Sequence, residues 1–377
     1  MTVHAKELIA MVLVTMIIVV DTPYVPVPTC FTFAPVGGYV VEIQLVFCLS
    51  WSLSLVPDGS DGDAGYGADN VALKIGVLYV ILGVITIPIC GFVLSVISRP
   101  PLIKHSCYKL MAFTTILDIL NLIHGAIVPG LFSLLRIHHC RSGKWVVYGS
   151  QYMMAVWYVY CCANEVLALN RMLEFASGYT SKLLFFGKRV YLWMGVALCY
   201  GIICTLLVSD AFYFYNPYGG YYEAKRLNGE PNIVHIFNNM FKFGFVTTAY
   251  IIMLALIYRR LRSAGRVRVS KFQVKVSIQT LAIAGLSDLV TMAYMAIGYA
   301  PLSPEFAMYT GLLGQLSWIA LHGGTGIIYM VMNSAVNQKF KKLFCRVPQI
   351  ATSHGMHSSA AYTVPIALTR FPPSHTP

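Results

Sequence analysis

Long apolar runs separated by short polar segments make up most of the chain. A transmembrane helix needs roughly 20 mostly apolar residues, and seven of the runs meet that length. Spans are predicted at 71–98, 108–135, 145–169, 190–212, 240–257, 276–299 and 311–332. Helices are favoured because backbone groups in lipid must be hydrogen-bonded within the protein, and a transmembrane barrel would show short alternating segments instead. The pattern therefore predicts an all-α membrane protein with seven spans.

The segments outside the spans predict three further regions. Residues 1–70 form an N-terminal outer segment with three open interpretations: a signal peptide, an extra helix, or an artefact of the gene model. The bundle occupies 71–333, and 334–345 is predicted to be an amphipathic helix on the membrane surface. The Ser-, Thr-, His- and Pro-rich tail, 346–377, has the composition of a disordered segment. Cys345 is either a palmitoylation site or a free thiol.

Composition excludes the soluble classes of protein. Of the 377 residues, 57% are hydrophobic and only 11% are charged, whereas a soluble domain carries about 25% charged residues. So few charges could not cover the surface of a water-soluble fold of this size. The ten cysteines form no CxxC pair and no Cys/His zinc spacing. Neither a metal site nor a cofactor is expected.

The basic residues predict the orientation of the bundle in the lipid bilayer. Nineteen of the 27 Lys and Arg residues lie in the predicted inner loops and the C-terminal tail, with Glu174 the only acid among them. The positive-inside rule makes that side cytoplasmic, with the N-terminus outside. One predicted outer loop, with Arg136, Arg141 and Lys144, runs against the rule and is outweighed. The net charge of +12 is thus a topology signal, and nucleic-acid binding is not expected.

Ionisable side chains within the spans are candidates for function, because a charge in the hydrocarbon region is costly unless it is used or paired. Five such residues are singled out: Asp118, Glu165, Asp210, Asp288 and His322. Asp118, midway along the second span, is either an acid that sets an inactive state or a neutral acid bonded to a neighbouring helix. For His322 an interhelical hydrogen bond is favoured over a ligand contact.

The sequence gives no support for catalysis, and the protein is not expected to be an enzyme. It contains no phosphate-binding loop, no HExxH and no GxSxG motif. The last span has no lysine for a retinal Schiff base, which excludes an opsin. A transporter would show internal repeats with paired broken helices. A channel or transporter subunit remains the alternative function, since it would also explain the spans and their acids.

Three stretches of the chain resemble the nematode serpentine chemoreceptors of class T. The matching features are His105 to Met111 with Asp118; Cys140, Gly149, Trp157 and 167–171; and Trp318, His322-Gly323, Ile328-Tyr329 and Asn333. In that family the Asn-Arg pair stands where other receptors have Asp-Arg-Tyr. The resemblance covers roughly residues 71–346 and is loose in the fourth to sixth spans.

The resemblance implies a seven-transmembrane helix bundle of the G-protein-coupled receptor type. Such a chemosensory receptor binds a small odorant or pheromone-like molecule in the outer half of the bundle and activates a heterotrimeric G protein. Ligand binding would shift the population between an inactive and an active bundle. The implied location is the plasma membrane of a chemosensory neuron, in its sensory cilium.

The resemblance also implies roles for particular residues. The ligand-binding set, for which ordinary packing is the alternative, is Tyr152, Met153, Val156, Trp157, Tyr294, Met295, Gln315 and Trp318. G-protein coupling is implied for Asn170, Arg171, Arg266 and Arg268. The implied switch residues are Asp118, His322, Tyr329 and Asn333. The basic loop that holds Arg266 has lipid anchoring as its alternative role.

Two features depart from the pattern of related receptors. Residues 205–344 contain no cysteine, so Cys140 lacks the usual partner in the second outer loop and either pairs with Cys30 or Cys48 or stays free. The sixth span lacks the Cys-Trp-x-Pro hinge of rhodopsin-like receptors.

Overall fold

The computed structural model describes residues 64–137, 144–207, 211–216, 220–226, 232–262, 271–299 and 304–344. This described part contains seven long helices. They are α1 Ala64–Ile97, α2 Ser106–Leu135, α3 Lys144–Ala176, α4 Arg189–Leu207, α5 Ile233–Arg262, α6 Lys271–Tyr299 and α7 Pro304–Met332. Within α2, a π-helical turn at Ile123–Ile127 joins Ser106–Leu122 to Val128–Leu135. A short helix, Gly178–Phe185, precedes α4, and α8, Ser334–Phe344, follows α7.

Length and apolarity make the described helices a multi-span membrane bundle. Six of them are long and apolar enough to cross a bilayer, and α7 passes the same test together with α8. The two are bent by 84° between Met332 and Ser334. Asn333 stands at the bend, where its Oδ1 accepts hydrogen bonds from the backbone N–H groups of Ala335 and Val336 at 3.1 and 3.3 Å. This side-chain cap starts α8 in its new direction.

Two predicted spans have different bounds in the structure. α4 ends at Leu207, and residues 211 and 212 belong to a strand, so the predicted end of the fourth span at 212 is wrong. The aromatic run that follows α4 is as apolar as a helical turn, but aromatic side chains favour strands. α5 begins at Ile233 rather than at 240. Its first turns carry polar side chains, which lower the hydropathy of this stretch although the bundle buries them.

A β-hairpin connects α4 to α5. β1 (Ala211–Asn216) pairs antiparallel with β2 (Tyr221–Arg226), so that Ala211 lies opposite Arg226 and Asn216 opposite Tyr221. The hairpin packs across the bundle against α2, α3 and α7, and its turn residue Gly220 contacts Tyr79 of α1. This end of the bundle is called the hairpin end below, and the opposite end, where α8 lies, the α8 end.

Three tyrosine hydroxyls tie the hairpin to α1 and α2. The contacts are Tyr215 Oη with Ser133 Oγ at 2.8 Å, Tyr222 Oη to the His124 carbonyl at 3.0 Å, and Tyr79 Oη to the Gly220 carbonyl at 2.6 Å. Burial raises the pKa of the Tyr215 hydroxyl, so it stays neutral. Gly220 has φ +72°, and a Cβ there would come within 2.7 Å of Ile75. Glycine therefore allows both the turn and its close approach to α1.

α3 lies at the centre of the bundle, in contact with α2, α4 and α5. Of its most apolar 18-residue window, 78% is buried, against 28% for α1 and 33% for α4 and α5. A helix buried all round is surrounded by other helices, whereas α1, α4 and α5 leave one face for lipid. Side chains of α3 are thus positioned to contact most of the others.

Small residues allow α1 and α2 to pack closely. A Cβ on Gly130 of α2 would lie 2.8 Å from the Val80 side chain and 3.0 Å from the Gly76 carbonyl oxygen. A Cβ on Gly76 would in turn lie 2.8 Å from the Gly130 carbonyl oxygen. Such backbone proximity is typical of membrane helix pairs, in which small residues let dispersion contacts form along the whole interface.

Gly130→Val is expected to destabilise the bundle by about 1–3 kcal/mol, because the branched side chain would force α1 and α2 apart. The measurement is the unfolding temperature of the detergent-solubilised protein, together with its surface level in cells. Gly91→Val in α1 is the matched control, since no heavy atom lies within 4 Å of a Cβ at that position. Equal unfolding temperatures for the two variants would contradict the close contact.

Candidate functional site

Aromatic rings from α3 and α7 meet in the middle of the bundle. The ring centroids of Trp157 and Trp318 are 4.5 Å apart, and Tyr160 stacks on Trp157 at 5.6 Å. The His322 ring lies 4.7 Å from Tyr160 and 5.5 Å from Trp318. The spacings 157/160 and 318/322 place each pair on one face of its helix. These four side chains, Trp157, Tyr160, Trp318 and His322, are called the aromatic cluster below.

His322 joins the aromatic cluster to α2 through Asp118. His322 Nδ1 and Asp118 Oδ1 are 2.7 Å apart, and both side chains are fully buried. Their other polar atoms, Asp118 Oδ2 and His322 Nε2, have no hydrogen-bond partner among the described residues. The contact is the interhelical bond that the sequence analysis offered for both residues. It does not by itself decide between a switch and a structural link.

The other two predicted switch residues lie nearer the α8 end. Tyr329 is fully buried in the core. Asn333 Nδ2 donates to Tyr108 Oη at 3.2 Å, which joins the end of α7 to the start of α2. Because Asn333 also caps α8, a shift of this side chain would change both the α2 contact and the direction of α8.

Arg171 is held at the end of α3 by its own neighbours. Its Nη2 donates to Asn170 Oδ1 at 2.9 Å and forms an ion pair with Glu174 Oε2 at 2.5 Å. Asn170 Nδ2 lies 3.4 Å from Ser106 Oγ, at the start of α2. Only 4% of Arg171 is exposed. Glu174, the lone acid of the basic inner side, is thus the carboxylate partner of this arginine.

Of the eight predicted ligand-binding residues, Trp157 and Trp318 are in direct contact within the aromatic cluster. Met153 and Val156 are buried in the same core. Gln315 Nε2 donates to the Gly125 carbonyl at 2.6 Å, beside the π-helical turn of α2. Trp318 packs against the same glycine, where a Cβ would lie 2.7 Å from its ring.

The remaining three lie around this centre. The Tyr152 ring is 4.8 Å from that of His124, on the α2 side. Met295 Sδ lies 3.7 Å from Asn239 Nδ2, between α6 and α5. Tyr294 is the least enclosed, with 36% of its surface exposed and its ring 6.2 Å from that of His235.

Lys242 was not among the residues predicted from the sequence, and it is buried in α5 with 1% exposure. Its Nζ donates to Ser287 Oγ at 2.8 Å and Thr291 Oγ1 at 2.7 Å, both on α6. The ammonium also lies 4.9 Å from the Trp157 ring centroid, within the range of a cation–π contact. A lysine in an apolar span is itself an intramembrane charge, and this signal could have identified it.

The other singled-out residues are spread more widely. Asp288 Oδ2 accepts from Thr247 Oγ1 at 2.8 Å, and Glu165 is half-buried on α3. Several predicted residues lie outside the described part of the chain: Asp210, Arg266, Arg268, Cys345, Cys140, Cys30 and Cys48. Within the described ranges, no group of three or more His, Cys, Asp or Glu side chains could hold a metal ion.

A small cavity lies between α3, α5 and α6, on the α8 side of Lys242. Its lining residues are Asn164, Leu167, Val246, Tyr250, Thr280, Ile283, Ala284 and Ser287. The free volume is about 10 Å³, which is room for about one water molecule. This cavity is therefore too small for a ligand larger than a water molecule in this conformation.

The fold is the seven-helix bundle of the G-protein-coupled receptor type. The crystal structure of squid rhodopsin matches with a TM-score of 0.61 at 11% sequence identity, over 73% of this chain and 81% of that chain. An identity this low is evidence for the fold alone. The class consists of multi-pass membrane receptors that are typically not enzymes.

The chain belongs to the family of serpentine type 7TM GPCR chemoreceptors, Srt, which it matches over residues 67–353. This match confirms the class T resemblance and extends it slightly beyond both predicted ends. A search of curated proteins gives no match.

Proposed function

We propose that the protein is a chemosensory receptor that binds a small molecule between α3, α5, α6 and α7 and activates a heterotrimeric G protein at the α8 end. Membership of the chemoreceptor family and the rhodopsin-like fold support the receptor role. The excess of Lys and Arg supports a cytoplasmic α8 end and an outer hairpin end. The plasma membrane of a sensory cilium is the proposed location.

The observation that carries this proposal is that His322 contacts both tryptophans of the aromatic cluster and is also hydrogen-bonded to Asp118. Trp157 and Trp318 belong to the proposed ligand site, and both pack against His322 at 6.1 and 5.5 Å. His322 in turn bonds to Asp118 on α2. A ligand that displaces either tryptophan therefore changes the packing of the histidine that joins α7 to α2. In this way a small ligand can bias the arrangement of three helices.

The small size of the cavity next to Lys242 supports a mechanism of population shift. Since the cavity beside Lys242 holds about one water, a larger ligand in this region requires side chains or helices to move apart. A ligand can shift an equilibrium only by its difference in affinity for the two states. Coupling of about 1–3 kcal/mol would change the G-protein affinity by about 5- to 150-fold.

The proposed output is the release of Arg171. In the described conformation Asn170 and Glu174 hold this guanidinium, and 4% of the residue is exposed. The planar, permanently charged guanidinium group can exchange these acceptors for backbone carbonyls of a partner protein. Movement of the neighbouring helices would open the space for that exchange.

The proposed function is tested by a screen of volatile and excreted small molecules in cells that express the full chain with a promiscuous Gα. A dose-dependent, G-protein-dependent response that untransfected cells lack is the expected result. A ligand-independent current or solute flux without G-protein activation would favour a channel or transporter subunit and contradict the proposal.

Neutralising Arg266 and Arg268 together, as Arg266→Gln with Arg268→Gln, is expected to weaken G-protein coupling without changing topology. Both lie in the basic sequence between α5 and α6, farther along the chain from the end of the predicted fifth span than Arg259 and Arg260. The measurement is the ligand dose response at matched surface density. Lys182→Gln with Lys188→Gln, in the preceding inner loop, is the charge-matched control. A dose response that stays unchanged would support lipid anchoring by the basic loop instead.

A further inference from the structure

One face of α5 carries a stripe of nitrogen-bearing side chains that points into the bundle. His235, Asn238, Asn239 and Lys242 follow the spacing i, i+3, i+4 and i+7, which keeps them on one side of a helix. Asn238, Asn239 and Lys242 are each at most 2% exposed. These four residues are called the α5 stripe below. Polar groups buried in a membrane bundle are costly and are typical of a ligand or ion site.

The hydrogen bonds of the α5 stripe determine which of its atoms are donors. The indole N–H of Trp157 can only donate, and its acceptor is Asn239 Oδ1 at 3.0 Å. The Asn239 amide nitrogen must then donate to His235 Nε2 at 3.0 Å. His235 therefore carries its proton on Nδ1. That N–H has no acceptor among the described residues.

Lys242, like His235, has more N–H donors than acceptors around it, and it also carries a positive charge. Two of its three N–H bonds are directed to the hydroxyls of Ser287 and Thr291. Asp288 and Glu165 are close enough to interact with Lys242 electrostatically. Within the described part of the chain, however, neither carboxylate forms an ion pair with Nζ at 4.0 Å or less. Asp288 is bonded to Thr247 instead.

A third donor without an acceptor lies on α7, with its indole nitrogen beside Gly125 of α2. The Trp318 indole N–H has no acceptor among the described residues, although 9% or less of the side chain is exposed. Buried donors without acceptors are unfavourable, and a buried charge without a countercharge in direct contact is more so. A carboxylate supplies a negative charge and about four acceptor positions. The site around Lys242 and His235 thus lacks a negative charge in contact and hydrogen-bond acceptors, and a carboxylate would provide both.

We propose that the ligand of this receptor is a small carboxylic acid, bound as its carboxylate by Lys242, with its body against Trp157, Trp318 and Met295. This inference rests on the proposed function, because it names the ligand class of the same site. His235 lies two helical turns from Lys242, about 10 Å along α5 towards the hairpin end. A second acceptor at that distance from the carboxylate would also engage the His235 N–H.

Binding to the purified full-length protein tests the ligand class without involving a G protein. The probes are octanoate and phenylacetate, each compared with its methyl ester, which keeps the body and removes the charge. The expected result is a concentration-dependent rise in the unfolding temperature of the wild type with an acid and not with its ester. Lys242→Met is expected to raise the Kd of the acid by about 10- to 100-fold, as for loss of a hydrogen bond to a charged group.

Three variants control for folding and for an internal ion pair. Lys74→Met changes an exposed lysine of α1 in the same way and is expected to leave acid binding unchanged. Lys242→Arg keeps the charge and is expected to retain the preference for acid over ester. This variant therefore tests the role of the charge in acid binding even if Lys242→Met does not fold. Asp288→Asn removes one of the two competing carboxylates and is expected to leave acid binding unchanged or stronger.

Several outcomes would overturn the carboxylate inference. They are equal shifts with acid and ester, no shift of the wild type with either acid, undiminished acid binding in Lys242→Met, and acid binding lost in Asp288→Asn. Failure of the proposed function looks different. If acids bind through Lys242 but no G protein is activated, the ligand class stands and the signalling role fails. If only neutral molecules activate a G protein, the receptor role stands and the carboxylate inference fails.

Discussion

Arg171→Ala is expected to abolish ligand-evoked G-protein activation while the protein still reaches the cell surface. Arg171 lies in the last two turns of α3, at the proposed cytoplasmic end, and its two described polar partners are its neighbours Asn170 and Glu174. Alanine removes the only group proposed to leave α3 and bind the partner, and the Glu174 carboxylate left behind is 26% exposed, so water can solvate it. The measurement is second-messenger output at matched surface density, with a drop of more than about tenfold expected.

Two companion variants make the Arg171 result specific. Lys188→Ala removes an exposed inner-loop charge and is expected to leave signalling near the wild-type level. Glu174→Gln weakens the hold on Arg171 and is expected to raise basal signalling, the opposite direction. Signalling that persists in Arg171→Ala would show that another group makes the G-protein contact.

Breaking the Asp118–His322 pair is expected to destabilise the bundle strongly. Asp118→Leu leaves the histidine unpaired, and His322→Leu leaves the acid unpaired, each at a cost of about 1–3 kcal/mol or more. The double variant replaces both polar groups by apolar ones, so its loss is expected to be smaller than the sum of the two single losses. The measurement is the free energy of unfolding in detergent, as a double-mutant cycle. Strict additivity would contradict the 2.7 Å contact.

Asp118→Asn separates a switch from a structural link. The amide keeps the size and a hydrogen bond to His322 but removes the ionisable charge. A structural link predicts wild-type basal and evoked signalling at equal surface density. A switch predicts normal expression with altered basal activity, or a ligand response shifted by about 1–3 kcal/mol in coupling free energy.

The spans and the class of protein could be predicted from the sequence because their signals are local. Twenty apolar residues in a row specify a spanning helix wherever they occur, and the second span, predicted at 108–135, is found at Ser106–Leu135. Motifs such as Asn170-Arg171 and His322-Gly323 are also local, and they carried the family resemblance that the match over residues 67–353 confirms. The hairpin after α4 was missed because an aromatic strand has the same hydropathy as a helical turn.

The contacts within the candidate site were decided only by the tertiary structure. Asp118 and His322 are 204 positions apart, and which helices adjoin each other depends on the packing of the whole bundle. The same applies to Lys242, since hydropathy does not distinguish a lysine that extends its ammonium to the membrane surface from one buried against Trp157. The sequence by itself thus determined the number, type and approximate bounds of the spans. The placement of each polar side chain towards lipid, water or another helix was determined by packing, because burial of a polar group is tolerated only where a partner from another helix meets it.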